Sequence, residues 1–262
     1  MNTRSSLSAK IGQTLFIALT YLFLYLPIII LVVFSFNAEP FPAPWKGFTL
    51  RWYYELYHSV HLWNAFYVSL KVAVASVILS VTMGLSLIYL AFCDKSIERW
   101  LQMFYINLLV PELVLAVGLL AFFTYLSVNL GLITLIVAHT VLALGFVVPL
   151  LYSRFLDLDP KLTEASLDLG ATRFQTFKRI TLPLLSPAIA AASLLVFILS
   201  FDDFILSYFC AGSTTQTLSL YIVSMLRSGV SPVINALSTL LLFFSSLLVL
   251  VFCYINVRSR IF

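Results

Sequence analysis

The residues of this chain that could do chemistry are acids placed inside apolar stretches. Glu112, Asp202 and Asp203 lie in such stretches, as does Lys71. If these stretches cross a bilayer, a charge at the centre costs at least about 2.5–3.5 kcal/mol, so such groups usually face a bundle interior and mark a pathway. Lys71 lies near the outer end of its stretch and can extend its ammonium group to the interface. The three acids are therefore the candidates for a site, and carboxylates attract cations.

The two adjacent acids cannot act in the same direction. Neighbouring residues on one helix point about 100° apart, so Asp202 and Asp203 cannot both face one cavity directly. We expect one to face a pathway and the other to accept hydrogen bonds from a neighbouring helix or to lie near the outer mouth; either residue can take either role. Glu112 follows Pro111, which removes a backbone donor. Glu112 either bonds amide groups freed by the proline or lines the pathway.

Aromatic residues surround the acidic pair in the sequence. They are Phe201, Phe204, Tyr208 and Phe209. The face of an aromatic ring attracts an ammonium group through a cation–π contact of about 0.5–2 kcal/mol. Rings are abundant throughout this apolar chain, so they add little to the argument from the acids, and the affinity of a conducting site should be modest because it must also release its cargo.

Catalysis is the competing interpretation. An intramembrane aspartyl enzyme needs two carboxylates that converge on one water. Asp202 and Asp203 do not converge from one helix, so Glu112 would have to be the partner. His139 lies alone on an apolar segment, where a histidine more often belongs to the core. The chain has no P-loop, GxGxxG or HExxH motif, and its three cysteines lack metal-ligand spacing. The sequence predicts no enzyme, no metal site and no cofactor bound by this chain.

Composition indicates which elements carry these residues. Of 262 residues, 61% are hydrophobic and 10% are charged, whereas a soluble domain carries about 25% charged residues. Apolar runs of about 18 or more residues indicate membrane-spanning helices. We predict an all-α, polytopic membrane protein that forms a single transmembrane domain over residues 1–262. Its six predicted spans are 12–36, 63–92, 101–126, 132–152, 187–207 and 233–257.

Lysine and arginine indicate the orientation, because both are enriched in cytoplasmic loops. With the N-terminus in the cytoplasm, the inside segments hold eleven basic residues and the outside segments three. The C-terminus is then cytoplasmic as well. This bias also accounts for the net charge of +4, so no nucleic-acid partner is predicted.

One predicted cytoplasmic connection, 153–186, is about 34 residues long and has the sequence features of short helices. Asp159 followed by Pro160 is typical of a helix N-terminus, and Gly170 of a left-handed helix stop. The helix between them has one apolar face. That face is formed by Leu162, Ala165 and Leu169.

A second short helix should follow in the same connection. Thr172 with Gln175 is typical of a capping box, and Pro183 and Pro187 are predicted to turn the chain toward the fifth span. Two short helices with an apolar side are either a stable surface cap or a docking element for a partner protein.

The same connection carries a long-gapped motif. Glu164-Ala165-Ser166-x3-Gly170-x9-Ile180-x-Leu182-Pro183 resembles the EAA motif, EAAxxxGx9IxLP, of permease subunits of ABC importers. Ser166 replaces the second alanine, a small-for-small change that is compatible with close packing. The resemblance implies a type I ABC importer permease fold. It also implies that these residues form a coupling loop, which sits in a cleft of a cytoplasmic ATPase subunit and passes on its closure.

Further segments resemble permeases of spermidine/putrescine importers. They are Val110-Pro111-Glu112, Leu199 to Phe204 with Ala211-Gly212, and Ser228 to Pro232 with Asn235-Ala236-Leu237. The resemblance implies a bacterial inner-membrane subunit that forms half of a translocation pathway beside a second, different permease. It implies two cytoplasmic ATPase subunits that bind ATP and Mg, and a periplasmic polyamine-binding protein.

Two other transport interpretations stay open. The same type of permease could carry another small solute: another cation, a phosphonate or a metal complex. Asp202 and Asp203 would repel an anion. An autonomous secondary transporter is the other class, which six spans, one large helical cytoplasmic loop and no inverted pair of broken helices disfavour.

Overall fold

The computed structural model describes residues 5–39, 44–228 and 232–259. The named elements in these ranges are all helical, and one isolated β-bridge joins Asn37 and Phe48. The predicted all-α class is confirmed. The helices are α1 Ser5–Phe34, α2 Arg51–His58, α3 Val60–Cys93, α4 Glu98–Asn107, α5 Glu112–Tyr125, α6 Leu132–Leu156, α7 Pro160–Asp168, α8 Arg173–Thr176, α9 Leu182–Asp202, α10 Ile205–Cys210, α11 Leu218–Ser228 and α12 Pro232–Ser259.

Among the described residues, four helices are long and apolar enough to cross a membrane, and they correspond to four of the six predicted spans. They are Gly12–Phe34, Val60–Cys93, Leu132–Leu156 and Arg173–Asp202, and the bent pair α4 and α5 makes a fifth if it is counted as one span. Helix α12, at the position of the sixth predicted span, is 28 residues long, about 42 Å at 1.5 Å per residue. Its apolar character is described for Pro232–Phe243 only, which is too short to count as a span. The count of six therefore stays a prediction. The predicted cytoplasmic termini include residues 1–4 and 260–262, which lie outside the described residues.

The third predicted span, 101–126, is not one helix, and the prediction was wrong in that respect. The axes of α4 and α5 differ by 105° across the break at residues 108–111. Pro111 has an extended ψ of 134°, and a proline lacks the N–H that would continue the helical ladder. Asn107 closes the broken end, since its Nδ2 donates to the Val141 carbonyl at 3.1 Å. Gly145 allows this approach, because a Cβ there would lie 2.6 Å from that Nδ2.

The fifth predicted span, 187–207, begins earlier and ends earlier than expected. Helical structure runs without interruption over Arg173–Asp202, so Pro183 and Pro187 do not turn the chain as predicted. A π-helical turn over Phe177–Thr181 precedes both prolines. Such a turn changes the pairing of backbone groups just before residues that cannot donate, and the helix continues through both prolines.

The described residues group into two compact units. Unit 1 draws on Met1–Val60 and Ile222–Phe262, and unit 2 on His61–Tyr221. In unit 1, α12 packs against α1 and α2, and the Trp52 indole donates to the Asn37 carbonyl at 2.8 Å. The prediction of a single domain remains a prediction.

The core of unit 2 is built around α6. This helix packs against α4, α9 and α10, and its side chains Leu135, Val147 and Leu151 are fully buried. The contact between α3 and α6 is close at Gly84, where a Cβ would lie 2.8 Å from Val147. Helix α6 is therefore the well-packed support for α5, α9 and α10, which carry the candidate site residues.

Candidate functional site

The two adjacent aspartates lie at a break between helices. Asp202 is the last residue of α9, and Asp203 leaves the helical region with φ −64° and ψ 129°. Phe204 follows, and α10 begins at Ile205. The predicted 100° separation on one continuous helix therefore does not apply, because the chain changes direction between the two carboxylates.

Asp203 is a buried cap for α10. Its Oδ1 accepts a hydrogen bond from the Leu206 N–H at 3.2 Å and its Oδ2 one from the Ser207 N–H at 2.9 Å. The first N–H groups of a helix have no partner inside it, and an acidic side chain in front of the helix satisfies them. The carboxylate is almost completely shielded, with the residue 7% exposed. One of the two aspartates thus accepts bonds from a neighbouring helix, as expected of one member of the pair.

His139 on α6 bridges the two sides of this break. Its Nδ1 lies 2.9 Å from the Ser200 hydroxyl oxygen in the last turn of α9, and its Nε2 lies 3.4 Å from Oδ2 of Asp203. The residue is 1% exposed. The main-chain carbonyl of Asp203 also accepts a hydrogen bond from the Ser219 hydroxyl. The break is therefore held from α6 and from α11.

Glu112 is brought to the same place from α5. It is the first residue of that helix, where a carboxylate is stabilised by the helix dipole. Helix α5 packs against α10, and Glu112 is half-buried near Asp203. Glu112 sits directly after the proline break, and whether it bonds freed amide groups or lines a pathway stays a prediction.

Asp202 and Tyr208 are the polar site residues that the structure leaves open. Asp202 is exposed, and Tyr208 is 54% exposed. Phe204 is half-buried and its ring centroid lies 5.6 Å from that of Tyr208. Phe201 packs edge-on against Phe66 at 5.8 Å. Of the four aromatic residues named from the sequence, Phe201, Phe204 and Phe209 are half-buried, and Tyr208 is exposed although it packs against Phe204 and Phe209.

Sequence reasoning missed several residues of this cluster. Ser200, Ser207 and Ser219 contact Asp203 or His139, yet a lone serine in an apolar helix most often bonds its own helix. The Nε2 atom of His139 and the Ser207 hydroxyl have no hydrogen-bond partner among the described residues. His139 had been assigned to the core, and the structure places it in the core but against Asp203. No local signal connects His139 with Ser200, 61 positions away.

In the 153–186 connection the first predicted short helix is present as α7, whereas the second begins as predicted at its cap but continues as the long helix Arg173–Asp202. Asp159 accepts from the Lys161 N–H at 3.0 Å in front of α7, and Gly170 has φ +87° behind it. The Ala171 N–H donates to the Ser166 carbonyl and the Gly170 N–H to the Leu167 carbonyl, which together form a Schellman motif. The capping-box prediction for the second helix is confirmed as well, since both of its bonds are present.

The motif residues of this connection line a groove that the chain leaves open. Leu169 is 89% exposed and Leu162 47% exposed, so the predicted apolar face of α7 has no cover among the described residues. The groove measures about 440 Å³ and is lined by Leu162, Ala165, Ser166, Leu169, Ala171, Gln175, Arg179 and Ile180. Glu164 and Pro183 are exposed, and Leu182 is half-buried.

The groove is fixed to the rest of unit 2 at its base. The guanidinium of Arg173 donates to the carbonyl of Cys93 at the end of α3. Phe177 is buried against Tyr89 and Phe92 of the same helix, with ring centroids 5.1 and 5.7 Å away. Helix α8 is therefore joined to α9 through the continuous helix and to α3 through Arg173 and Phe177.

No group of three or more histidine, cysteine, aspartate or glutamate side chains is placed to hold a metal ion in the described part of the chain.

Comparison with known proteins identifies related chains. Residues 76–258 match the family model described as "Binding-protein-dependent transport system inner membrane component". The spermidine/putrescine transport system permease protein PotC of Escherichia coli K12 is 39% identical over 239 residues, which is 90% of each chain. The putrescine transport system permease protein PotI of the same strain is 33% identical and covers 86% of this chain and 83% of its own length. A bacterial ABC transporter involved in the import of the acidic polysaccharide alginate has a similar fold, with a TM-score of 0.72, 15% identity and coverage of 99% and 98%.

Proposed function

This chain belongs to the family of binding-protein-dependent transport system inner membrane components, and from this membership we propose that it is a permease subunit of an ATP-driven importer of polyamines. The observation that carries the cargo class is the 39% identity with a spermidine/putrescine permease over 90% of both chains. The related proteins are transport subunits and not enzymes. ATP and Mg are bound by a separate ATPase subunit.

The exposed carboxylate of Asp202, at the break between α9 and α10, supports a cationic cargo. Asp202 is exposed at the end of an apolar helix, and an exposed carboxylate at membrane depth is costly unless it faces water or a pathway. A polyamine carries several ammonium groups on an apolar chain. Asp202 attracts an ammonium group, and the open face of Tyr208 adds a cation–π contact. Phe201 and Phe204, whose rings are packed against other aromatic residues, are the neighbouring aromatic residues in the sequence.

Asp203 and Glu112 supply further acidic groups near Asp202 without needing to be in direct contact with the cargo. Asp203 follows Asp202 directly and faces His139 Nε2 at 3.4 Å, and Glu112 is the first residue of α5. Within a medium of low dielectric constant, charges act over longer distances than in water. The same charges oppose an anion such as a phosphonate, so another small cation is the alternative cargo that these residues permit.

The open groove supports coupling to an ATPase. Its lining combines exposed leucines with the small residues Ala165 and Ser166, and such a surface accepts or enters a complementary protein surface. Ile180 also lines the groove, and the EAA resemblance implies a coupling role for Glu164, Gly170, Leu182 and Pro183 as well. We place this groove in the cytoplasm, with both chain termini, following the distribution of basic residues.

The functional unit requires further chains. One chain has a single acidic break, and a pathway lined on all sides needs a second permease opposite to it. Two ATPase subunits contact the two coupling loops, and a periplasmic protein delivers the polyamine. The family description names dependence on a binding protein, which supports the last of these partners.

The test is uptake of labelled spermidine and putrescine by cells that lack other polyamine importers and express this chain with its partner subunits. Saturable uptake that requires this chain and ATP supports the proposal. Uptake that is unchanged when this chain is omitted would overturn it.

A further inference from the structure

The geometry points to His139 as a positioning residue: it fixes the break between α9 and α10 by holding Ser200 and Asp203 together, and so presents Asp202 and Tyr208 to the cargo. This inference rests on the proposed function and deepens it. It separates the two adjacent aspartates into one that binds cargo and one that maintains the shape of the site.

The first step of the argument is that His139 contacts both sides of the break. Ser200 belongs to the last turn of α9, and Asp203 caps the first turn of α10. An imidazole is rigid, and its two nitrogens have different partners here. A helix end held by a rigid ring can rotate little against the next helix.

The second step concerns the hydrogen positions. Asp203 is an acceptor, so the ring hydrogen is assigned to Nε2, which faces Oδ2 at 3.4 Å. Nδ1 then accepts from the Ser200 hydroxyl at 2.9 Å. This arrangement needs a neutral ring, in which Nδ1 accepts from the Ser200 hydroxyl and the Nε2–H group faces the Asp203 carboxylate.

The third step is that the distance between His139 Nε2 and Asp203 Oδ2 is slightly longer than a hydrogen bond. At 3.4 Å the Nε2 atom has no hydrogen-bond partner among the described residues. A closure of about 0.4 Å would bring it to an ordinary N–H···O distance. A buried donor without a partner is unfavourable, so small movements of α10 that close this distance are stabilised. The closing movement is small enough for Asp203 to remain the cap, so the ring still limits rotation between α9 and α10.

The fourth step is the contrast between the two aspartates. Asp203 is 7% exposed and its oxygens are occupied by two N–H groups. Asp202 is exposed and lies one residue away, so any change in the Asp203 backbone moves it. Cargo binding by Asp202 thus depends on the contact that His139 makes with Asp203.

Two substitutions of His139 separate its two contacts. In His139→Gln the amide nitrogen takes the place of Nε2, so the contact with Asp203 is kept and that with Ser200 is weakened. In His139→Asn the shorter amide takes the place of Nδ1, so the contact with Ser200 is kept and that with Asp203 is lost. Both are neutral, polar and smaller than histidine, which makes them matched controls.

The experiment measures spermidine and putrescine uptake per inserted complex in proteoliposomes that contain the whole importer, with the binding protein supplied. We expect His139→Gln to keep at least about half of the wild-type rate, and His139→Asn to lose about tenfold, the effect of one hydrogen bond to a charged group. The double variant His139→Asn with Asp203→Asn should lose no more than the worse single variant, because both changes remove one contact.

Equal losses in the two His139 variants, no loss in either, or a multiplicative loss in the double variant would overturn the inference. If His139→Asn does not insert, Asp203→Asn alone takes its place, since it keeps an oxygen for the α10 cap but gives up the charge facing His139. A loss of about tenfold then supports the inference, and unchanged uptake overturns it. A wild-type importer that moves neither polyamine would instead overturn the proposed function.

Discussion

The hydroxyl oxygens of Ser166 and Thr176 lie 2.9 Å apart and join α7 to the end of α8. Ser166 stands where the EAA motif has its second alanine, so this chain has a bond across the groove that an alanine could not make. Thr176 is 1% exposed, and the bond satisfies a hydroxyl that would otherwise be buried without a partner. The departure from the motif therefore adds a bond that holds the two helices together.

Restoring the alanine tests how much this bond contributes. We expect Ser166→Ala to lower the stability of the loop by about 1 kcal/mol, the net value of one hydrogen bond, and to leave transport-coupled ATP hydrolysis within about twofold of wild type. Hydrogen exchange of the α7 amides should report the loosening. Ser166→Leu is the contrasting variant, because its larger side chain fills the groove; equal ATP hydrolysis in both variants would show that the groove is not a docking surface.

Substitutions of Gly170 test whether the backbone conformation of the loop matters, independently of its side-chain contacts. Its φ of +87° is strained for other residues, and an added Cβ would meet nothing within 4 Å, so the cost of a side chain there is conformational. We expect Gly170→Val to lower transport-coupled ATP hydrolysis several-fold, since a left-handed conformation costs a non-glycine residue about 1–2 kcal/mol.

Two matched variants identify the cause of such a loss. Gly170→Asn should recover most of the activity, because asparagine tolerates the left-handed region. Gly118→Ala adds a Cβ in equally open space inside a helix, where alanine is preferred, and it should leave ATP hydrolysis unchanged. A Gly170→Asn variant as impaired as Gly170→Val would contradict the conformational explanation.

Glu164 tests the coupling role of α7 at a position outside the groove. It is exposed and lines a cavity of about 390 Å³ together with the acids Glu98 and Asp159. Glu164→Arg places a cation beside two remaining acids, so the fold of this chain should tolerate the change. We expect normal insertion and a fall of about tenfold or more in cargo-stimulated ATP hydrolysis, because a reversed charge at an interface leaves the partner's groups unpaired. ATP hydrolysis at the wild-type level would contradict a coupling role for α7.

The features that the sequence predicted well are encoded within a few residues. Asp159 with Pro160, Gly170, and Thr172 with Gln175 satisfy backbone groups of their own helices, so their types and spacing are sufficient. The prolines show the limit of local information: Pro111 interrupts a helix, whereas Pro187 lies within one. The difference depends on what surrounds them, the π turn before Pro187 and the Asn107 amide near Pro111, and neither follows from the proline itself.

The candidate site was predicted in its residues but not in its geometry. Asp202, Asp203 and Glu112 were identified because acids are rare in apolar helices. The break that separates Asp202 from Asp203 depends on His139 and Ser219, which reach it from other helices. Such tertiary contacts outweigh local helical preference, and a single sequence does not encode which distant side chain makes them.

The two aspartates should respond differently to loss of charge. We expect Asp202→Asn to insert normally, to keep the thermal stability of the wild type, and to lower spermidine uptake by about tenfold, because an exposed carboxylate is lost from the cation pathway. Asp203→Asn should lower the melting temperature, since the buried cap of α10 loses charge-assisted bonds of about 1.5–3 kcal/mol, and its uptake should fall only as far as the break is disturbed. The thermal scan and the uptake assay on the same membranes separate the two effects. If both variants keep wild-type uptake and saturation, the carboxylates of this break do not lie on the cargo pathway, and the acids of the partner permease would have to carry the cation alone.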